Sequence, residues 1–265
     1  MRMLRLLCIT SHPDDEAGAF GGVLARYSEA GVECTVLCLT AGERAANRGG
    51  AADDDALKAM RRAEFAESCR HLGVARSMVL DYADGALDRV DFPEIAGRLV
   101  GAIRKLRPHV VTTFGAEGFV TAHPDHGMTG MFTSTAFQWA ARTTRCTEQL
   151  ERGLEPWQAK KLYYVTTEFS LPERPAVSLP PVTARVHVAP YIRRKIEAFA
   201  CHTSQRVLLP VFEDAQTRAG DDELYHLAAT AEITAMKMES DLFEGIDEEK
   251  EQPHSNLRQP EWGTR

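Results

Sequence analysis

Two short segments concentrate residue types that bind metal ions and move protons: Ser11-His12-Pro13-Asp14-Asp15-Glu16 near the start of the chain and His123-Pro124-Asp125-His126 near its middle. Taken singly, each reads as a helix amino terminus, because proline suits the first helical turn and carboxylates suit the positive end of the helix dipole. Taken together they supply what a catalytic zinc site needs: about three His or carboxylate ligands and a position left open for water. His12 and Asp15, three apart on a turn held by Pro13, and His126 fit that requirement. Asp14 is then directed elsewhere and becomes the candidate general base. His123 would face a substrate, either stabilising an oxyanion or donating a proton to a leaving amine. Asp125 suits a supporting role, hydrogen-bonding a histidine to fix its ring. Metal-bound water has its pKa lowered to about 7, so the expected chemistry is hydrolysis at neutral pH. The expected cofactor is Zn2+, with Fe2+, cobalt or nickel as ions the same donors accept.

These segments need a frame that brings them together. Leu4 to Thr10 is a short apolar run that stops at polar residues, as a strand buried on both faces does. A helix over 17–30, stopping at Gly31, and a second strand over 33–40 complete a right-handed βαβ unit. Further helices are expected over 55–72, 92–106 and 125–142, and strands over 77–80, 109–114 and 161–167. After a proline-rich connection at 171–181 come a strand over 185–188 and helices over 191–201 and 221–238. Alternation of this kind predicts an α/β fold: a Rossmann-like open, mostly parallel twisted sheet with helices on both faces. Its functional groups would collect at the carboxyl ends of the strands. Both motifs sit at such ends, after the first and the fourth strand.

The chain of 265 residues is 44% hydrophobic and carries a net charge of −7. That size suits one domain, expected over 1–240, with a polar tail over 241–265. The negative charge argues against nucleic acid as a partner, and the absence of a long apolar stretch argues against a membrane span. Six cysteines without C-x-x-C spacing are expected to be reduced thiols, Cys34 and Cys38 in the core, which points to a cytoplasmic location. His71 and His109 are expected to be structural. Gly21-Gly22 lacks the full dinucleotide fingerprint, and close helix packing explains it better. A homo-oligomer is compatible with the sequence, although no surface stripe marks an interface.

The motifs resemble those of the LmbE-like or PIG-L family of zinc-dependent N-deacetylases. The family's Ala-His-Pro-Asp-Asp-Glu appears as Ser11 to Glu16, followed by Gly18-Ala19-Phe20-Gly21-Gly22. Its second signature appears as Thr121 to His126. Thr40-Ala41-Gly42-Glu43, Arg61-Arg62-Ala63-Glu64 and Lys195 through His202-Thr203-Ser204-Gln205 resemble it more loosely, so the similarity spans about residues 4 to 206. The resemblance implies metal at His12, Asp15 and His126, a base at Asp14 and an acid or electrophile at His123. It also implies a substrate contact at Arg61, for which an ion pair with Glu64 is the plainer alternative. His202 and Gln205 either close the pocket from the C-terminal side or simply end a helix. The activity so implied is removal of an N-acetyl or N-acyl group from an N-acetylglucosamine-type sugar or glycoconjugate. The alternatives are an amidase acting on thiol-sugar conjugates or acylated antibiotic intermediates, and a non-catalytic metal-dependent sugar-binding protein.

Overall fold

A computed structural model describes residues 3–171, 177–232 and 235–246. The strands are β1 (Arg5–Thr10), β2 (Glu33–Thr40), β3 (Arg76–Tyr82), β4 (Val110–Thr113), β5 (Lys161–Thr166), β6 (Ala184–His187) and β7 (Asp222–Thr230). They form one seven-stranded sheet in the order β3-β2-β1-β4-β5-β7-β6. The first five run parallel, and β7 is antiparallel to both β5 and β6. The helices are α1 (Asp15–Gly18), α2 (Gly21–Glu29), α3 (Asp54–Leu72), α4 (Phe92–Leu106), α5 (Pro124–Ala140), α6 (Thr147–Glu151), α7 (Ile192–Ala200) and α8 (Leu209–Ala219). The expected doubly wound α/β architecture is present.

Strand periodicity divides the core between the two faces of the sheet. In β1, Leu6 and Cys8 join a cluster with Phe20, Leu24, Phe65 and Tyr225, while Leu7 and Ile9 join Leu99, Ile103, Phe132 and Phe137 on the other side. Each fully buried Leu or Ile side chain contributes roughly 1.5–3 kcal/mol relative to exposure. A strand with both faces covered therefore reads as an unbroken apolar run. β1 pairs β2 on one side and β4 on the other, with Cys8 opposite Thr112. The chain direction of winding reverses between β1 and β4, so their carboxyl ends open one crevice.

Local signals start and stop the helices around that crevice. Asp53 caps α3 by accepting from the Ala56 amide at 2.8 Å, and Gly73, at φ 80°, ends it. His123 occupies the cap position of α5, with Pro124 in its first turn.

Three expectations are corrected. The helix over 17–30 is two helices, because the chain breaks at Ala19-Phe20 and restarts at a packed amino terminus. There the Gly22 and Val23 amides donate to Glu223 at 2.7 and 3.0 Å. The glycines are required by contact: a Cβ on Gly21 would stand 2.7 Å from the Lys195 side chain, and one on Gly22 2.7 Å from Glu223. The helix expected over 221–238 is instead strand β7 over its first part. Its Glu, Leu and Ala content favours a helix locally, but the outer backbone of β5 needs a pairing partner, and tertiary pairing overrides weak propensity. The tail expected from Asp241 is packed through Ile246: Leu242 is fully buried, Phe243 lies edge-on to Tyr27 at 5.1 Å, and Asp241 accepts from the Tyr27 hydroxyl. The rest of that tail, 247–265, lies outside the described residues. α6 and α8 are elements beyond those expected from the sequence.

Candidate metal centre and active site

The turn after β1 and the start of α5 are stitched together before any ligand is considered. The Ser11 hydroxyl reaches the Asp125 carbonyl at 3.1 Å and the Thr129 hydroxyl at 2.7 Å. Asp15 folds back so that its Oδ2 accepts from the Ser11 and His12 amides at 3.0 and 2.8 Å. The same carboxylate lies between two imidazoles, with Oδ1 3.1 Å from His126 Nε2 and Oδ2 3.6 Å from His12 Nδ1. The second nitrogen of each ring is also engaged. His12 Nε2 stands 3.2 Å from Asp125 Oδ2 and 3.1 Å from Asp84 Oδ1, and His126 Nδ1 stands 3.2 Å from the Thr121 hydroxyl. Phe114 stacks on the His126 ring at 4.0 Å. Asp125 is itself fixed, accepting from the Gly85 and Leu87 amides.

Charge in this cluster is strongly organised. Burial disfavours the His12 imidazolium, yet hydrogen bonds to Asp125 and Asp84 and the charge of Asp15 outweigh it and push the ring up to about 10. The surroundings of His12 therefore select for positive charge. Burial alone would raise Asp15, but His126 and His12 hold its carboxyl well below the usual range. Asp14 behaves oppositely: burial pushes it up to about 6 against the pull of the Arg61 guanidinium. The donor set fits a divalent transition ion, with two imidazoles facing one carboxylate and their outer nitrogens oriented by carboxylates and a hydroxyl. By distance, a nitrogen from each of His12, His123 and His126 also form a group within 4.8 Å, as do His12, Asp84 and Asp125.

His123 is half-buried, its ring 4.7 Å from that of His12 and 5.1 Å from that of His126. Its Nδ1 accepts from the Asp125 amide at 3.2 Å, which assigns the proton of the neutral ring to Nε2. Burial, reinforced by the neighbouring imidazoles of His12 and His126, lowers its pKa.

The structure thus gathers His12, Asp14, Asp15, His123, Asp125 and His126 in one place. Arg61, His202 and Gln205 are all buried. Arg61 is 3% exposed, and its guanidinium donates to the Gly42 carbonyl, the Pro13 carbonyl and, at 2.9 Å, Asp14 Oδ2. These bonds make Arg61 an anchor on the candidate base. It does not pair with Glu64, which instead accepts from Thr203 and Ser204. His202 is fully buried against Glu16 at 2.6 Å, and Gln205 donates to the Asn47 carbonyl, fastening the loop before α3. His71 and His109 stay outside the site, held by Glu197 and the Arg5 amide.

Two residues of this region carried no assignment from sequence. Asp84 follows β3 at its carboxyl end, the same topological position as both motifs, and that position was the available signal. Glu16 completes the first motif and is wholly buried.

A doubly wound sheet with a histidine-carboxylate centre at its switch point defines the class, a hydrolase built for a metal ion. A family model described as PIG-L, GlcNAc-PI de-N-acetylase, matches residues 7–137, and the chain belongs to that family of N-deacetylases. Its relatives include a 1D-myo-inositol 2-acetamido-2-deoxy-alpha-D-glucopyranoside deacetylase from Rhodococcus erythropolis, 31% identical with 78% of this chain and 82% of the relative covered. Another is a mycothiol S-conjugate amidase from Streptomyces coelicolor, 35% identical over 61% of this chain and 60% of the relative. Among solved structures, N,N'-diacetylchitobiose deacetylase from Pyrococcus horikoshii shares the fold, with a TM-score of 0.72 at 23% identity, covering 84% of this chain and 83% of that one. Among the described residues no helix is long and apolar enough to cross a membrane.

Proposed function

We propose that this enzyme uses zinc to remove the N-acetyl group from an N-acetylglucosamine-type sugar conjugate, releasing acetate and a free amine. The observation that carries the reading is the division of two adjacent carboxylates. Asp15 faces the His12 and His126 nitrogens, while the neighbouring Asp14 is held through one oxygen by Arg61. In this reading His12, Asp15 and His126 would hold the ion. A divalent ion there supplies a Lewis acid that lowers the pKa of a water and polarises an amide carbonyl.

The chain's own groups do the rest. Asp14 Oδ2 is engaged by Arg61, so Oδ1 takes the proton from the attacking water. The Nε2–H of neutral His123 donates to the oxygen of the former carbonyl as it gains charge. Asp14, now protonated, hands its proton to the departing nitrogen. Asp125 and Asp84 keep the His12 ring in one orientation throughout. The relatives' names, a deacetylase of an acetamido sugar inositol and an amidase of a thiol conjugate, support a sugar conjugate as substrate. The amidase relative also favours a second reading, in which the same centre cleaves a larger N-acyl conjugate.

The test is amine release from a panel of N-acetyl and N-acyl glucosaminides by zinc-loaded protein, before and after chelation. Release that chelation abolishes and zinc restores is expected. No release from any member of the panel would overturn the deacetylase reading.

A further inference from the structure

Asp14 has a backbone conformation unlike any other described non-glycine residue. Its φ is 112°, whereas Arg107, Phe119, Ala122 and Cys146 have positive φ of 49–60°, the ordinary left-handed region. A side chain held there is over-determined by its surroundings. Arg61 secures the carboxylate end. The backbone end is secured by Glu16, whose Oε2 accepts from the Asp14 amide at 2.9 Å.

The other oxygen of Glu16 is gripped from two further elements. Oε1 accepts from the Ser68 hydroxyl on α3 at 2.6 Å and from His202 Nε2, just beyond α7, also at 2.6 Å. Neither Glu16 nor His202 has any solvent exposure, so neither can touch a substrate. We infer that Glu16 and His202 are a positioning pair that fixes the backbone of Asp14 from behind the site, and with it the direction of the catalytic carboxylate.

Three donors converge on one acid, and this chemistry requires a carboxylate. A carboxylate is acceptor-only with two oxygens, whereas an amide of the same shape has one oxygen and two N–H donors. Glutamine at position 16 would set donor against donor at either the Asp14 amide or the Ser68 and His202 side. The inference rests on the reading of Asp14 as general base, so its test includes a measurement that needs no substrate.

The experiment compares wild type with Glu16→Gln for kcat, KM and zinc affinity by chelator competition, together with a crystal structure of the variant. The expected result is a kcat lower by roughly ten- to a hundredfold, as for a misplaced catalytic group. KM and zinc affinity should be unchanged, and Asp14 should leave its φ near 112°. Zinc affinity falling in step with kcat would overturn the inference, as would Asp14 retaining its backbone with kcat intact. Should Glu16→Gln fail to fold, His202→Phe keeps the ring volume without the Nε2–H. It is expected to lose kcat alone, and His202→Gln, which retains a donor, to recover part of it. Wild-type kcat in His202→Phe would sink the pairing. If wild type releases no amine at all, the assignment of Asp14 as base fails, and the crystal structure still decides whether Glu16 sets its backbone.

Discussion

Asp14 and Asp15 are neighbours whose acidities are pulled in opposite directions. Burial pushes Asp14 up to about 6, while Asp15 is held well below the usual range by His126 and His12 in spite of burial. On the proposed reading, this separation by environment lets one site hold both a ligand and a base. Asp14→Asn is therefore expected to keep zinc affinity and lose about a hundredfold or more in kcat, as for removal of a general base. Asp15→Asn is expected to lose zinc affinity itself, and chelator titration of the two variants distinguishes them. Arg61 offers a sharper contrast, because an anchor and a substrate contact fail differently. Arg61→Ala is expected to lower kcat with little change in KM and to cost about 3 kcal/mol in urea unfolding, since it leaves a largely buried carboxylate unpaired. A raised KM with unchanged kcat would restore the substrate-contact role. The sequence displayed all these residues but could not show where Arg61 points. An arginine three positions from Glu64 on a helix invites a local pair, and only the arrival of Ser204 from 140 residues away takes Glu64 elsewhere. Asp84 was hidden for a related reason: Asp81 and Asp84 both close β3, and nothing in their spacing says that the first is exposed and the second reaches His12.

Elements with a buried apolar period were legible from sequence, and elements defined by what lies beside them were not. β1 declares itself because both faces are covered, and α5 because His123 and Pro124 mark its start. β7 reads as helix because its residues favour one, and its strand state is imposed by β5 on one side and β6 on the other. Its importance is concentrated in Glu223, which accepts from the Gly22 and Val23 amides, from Lys195 Nζ at 2.8 Å and from the Tyr225 hydroxyl. Glu223 and Lys195 are 6% and 5% exposed. Glu223→Ala should thus cost about 3–5 kcal/mol, because it strands a buried ammonium and uncaps α2 together. Denaturant midpoints measure that loss, and a change of less than about 1 kcal/mol, the scale of a surface pair, would show that Lys195 finds another partner.

At the scale of the molecule, the domain extends past the boundary that composition suggested. Charged residues and prolines after Asp241 imitate a frayed end, yet Leu242 and Phe243 enter the core and Glu239 receives Lys161 and Tyr163. Phe243→Ala is expected to destabilise by about 3–5 kcal/mol, the usual cost of emptying a buried aromatic position, and thermal unfolding tests it. A change near zero would return the segment to the surface. The placement of β7 also bears on the order in which the protein can assemble. The segment that carries the family signature, 7–137, contains both halves of the candidate metal centre, but the strand that covers β5 is synthesised some sixty residues after β5 itself. Until then a growing chain presents an unpaired, largely buried strand, the kind of edge that recruits other chains. During its synthesis the enzyme therefore passes through a stage in which its candidate ligands are all present but its sheet is open, and a chain truncated before Asp222 is expected to be prone to aggregation.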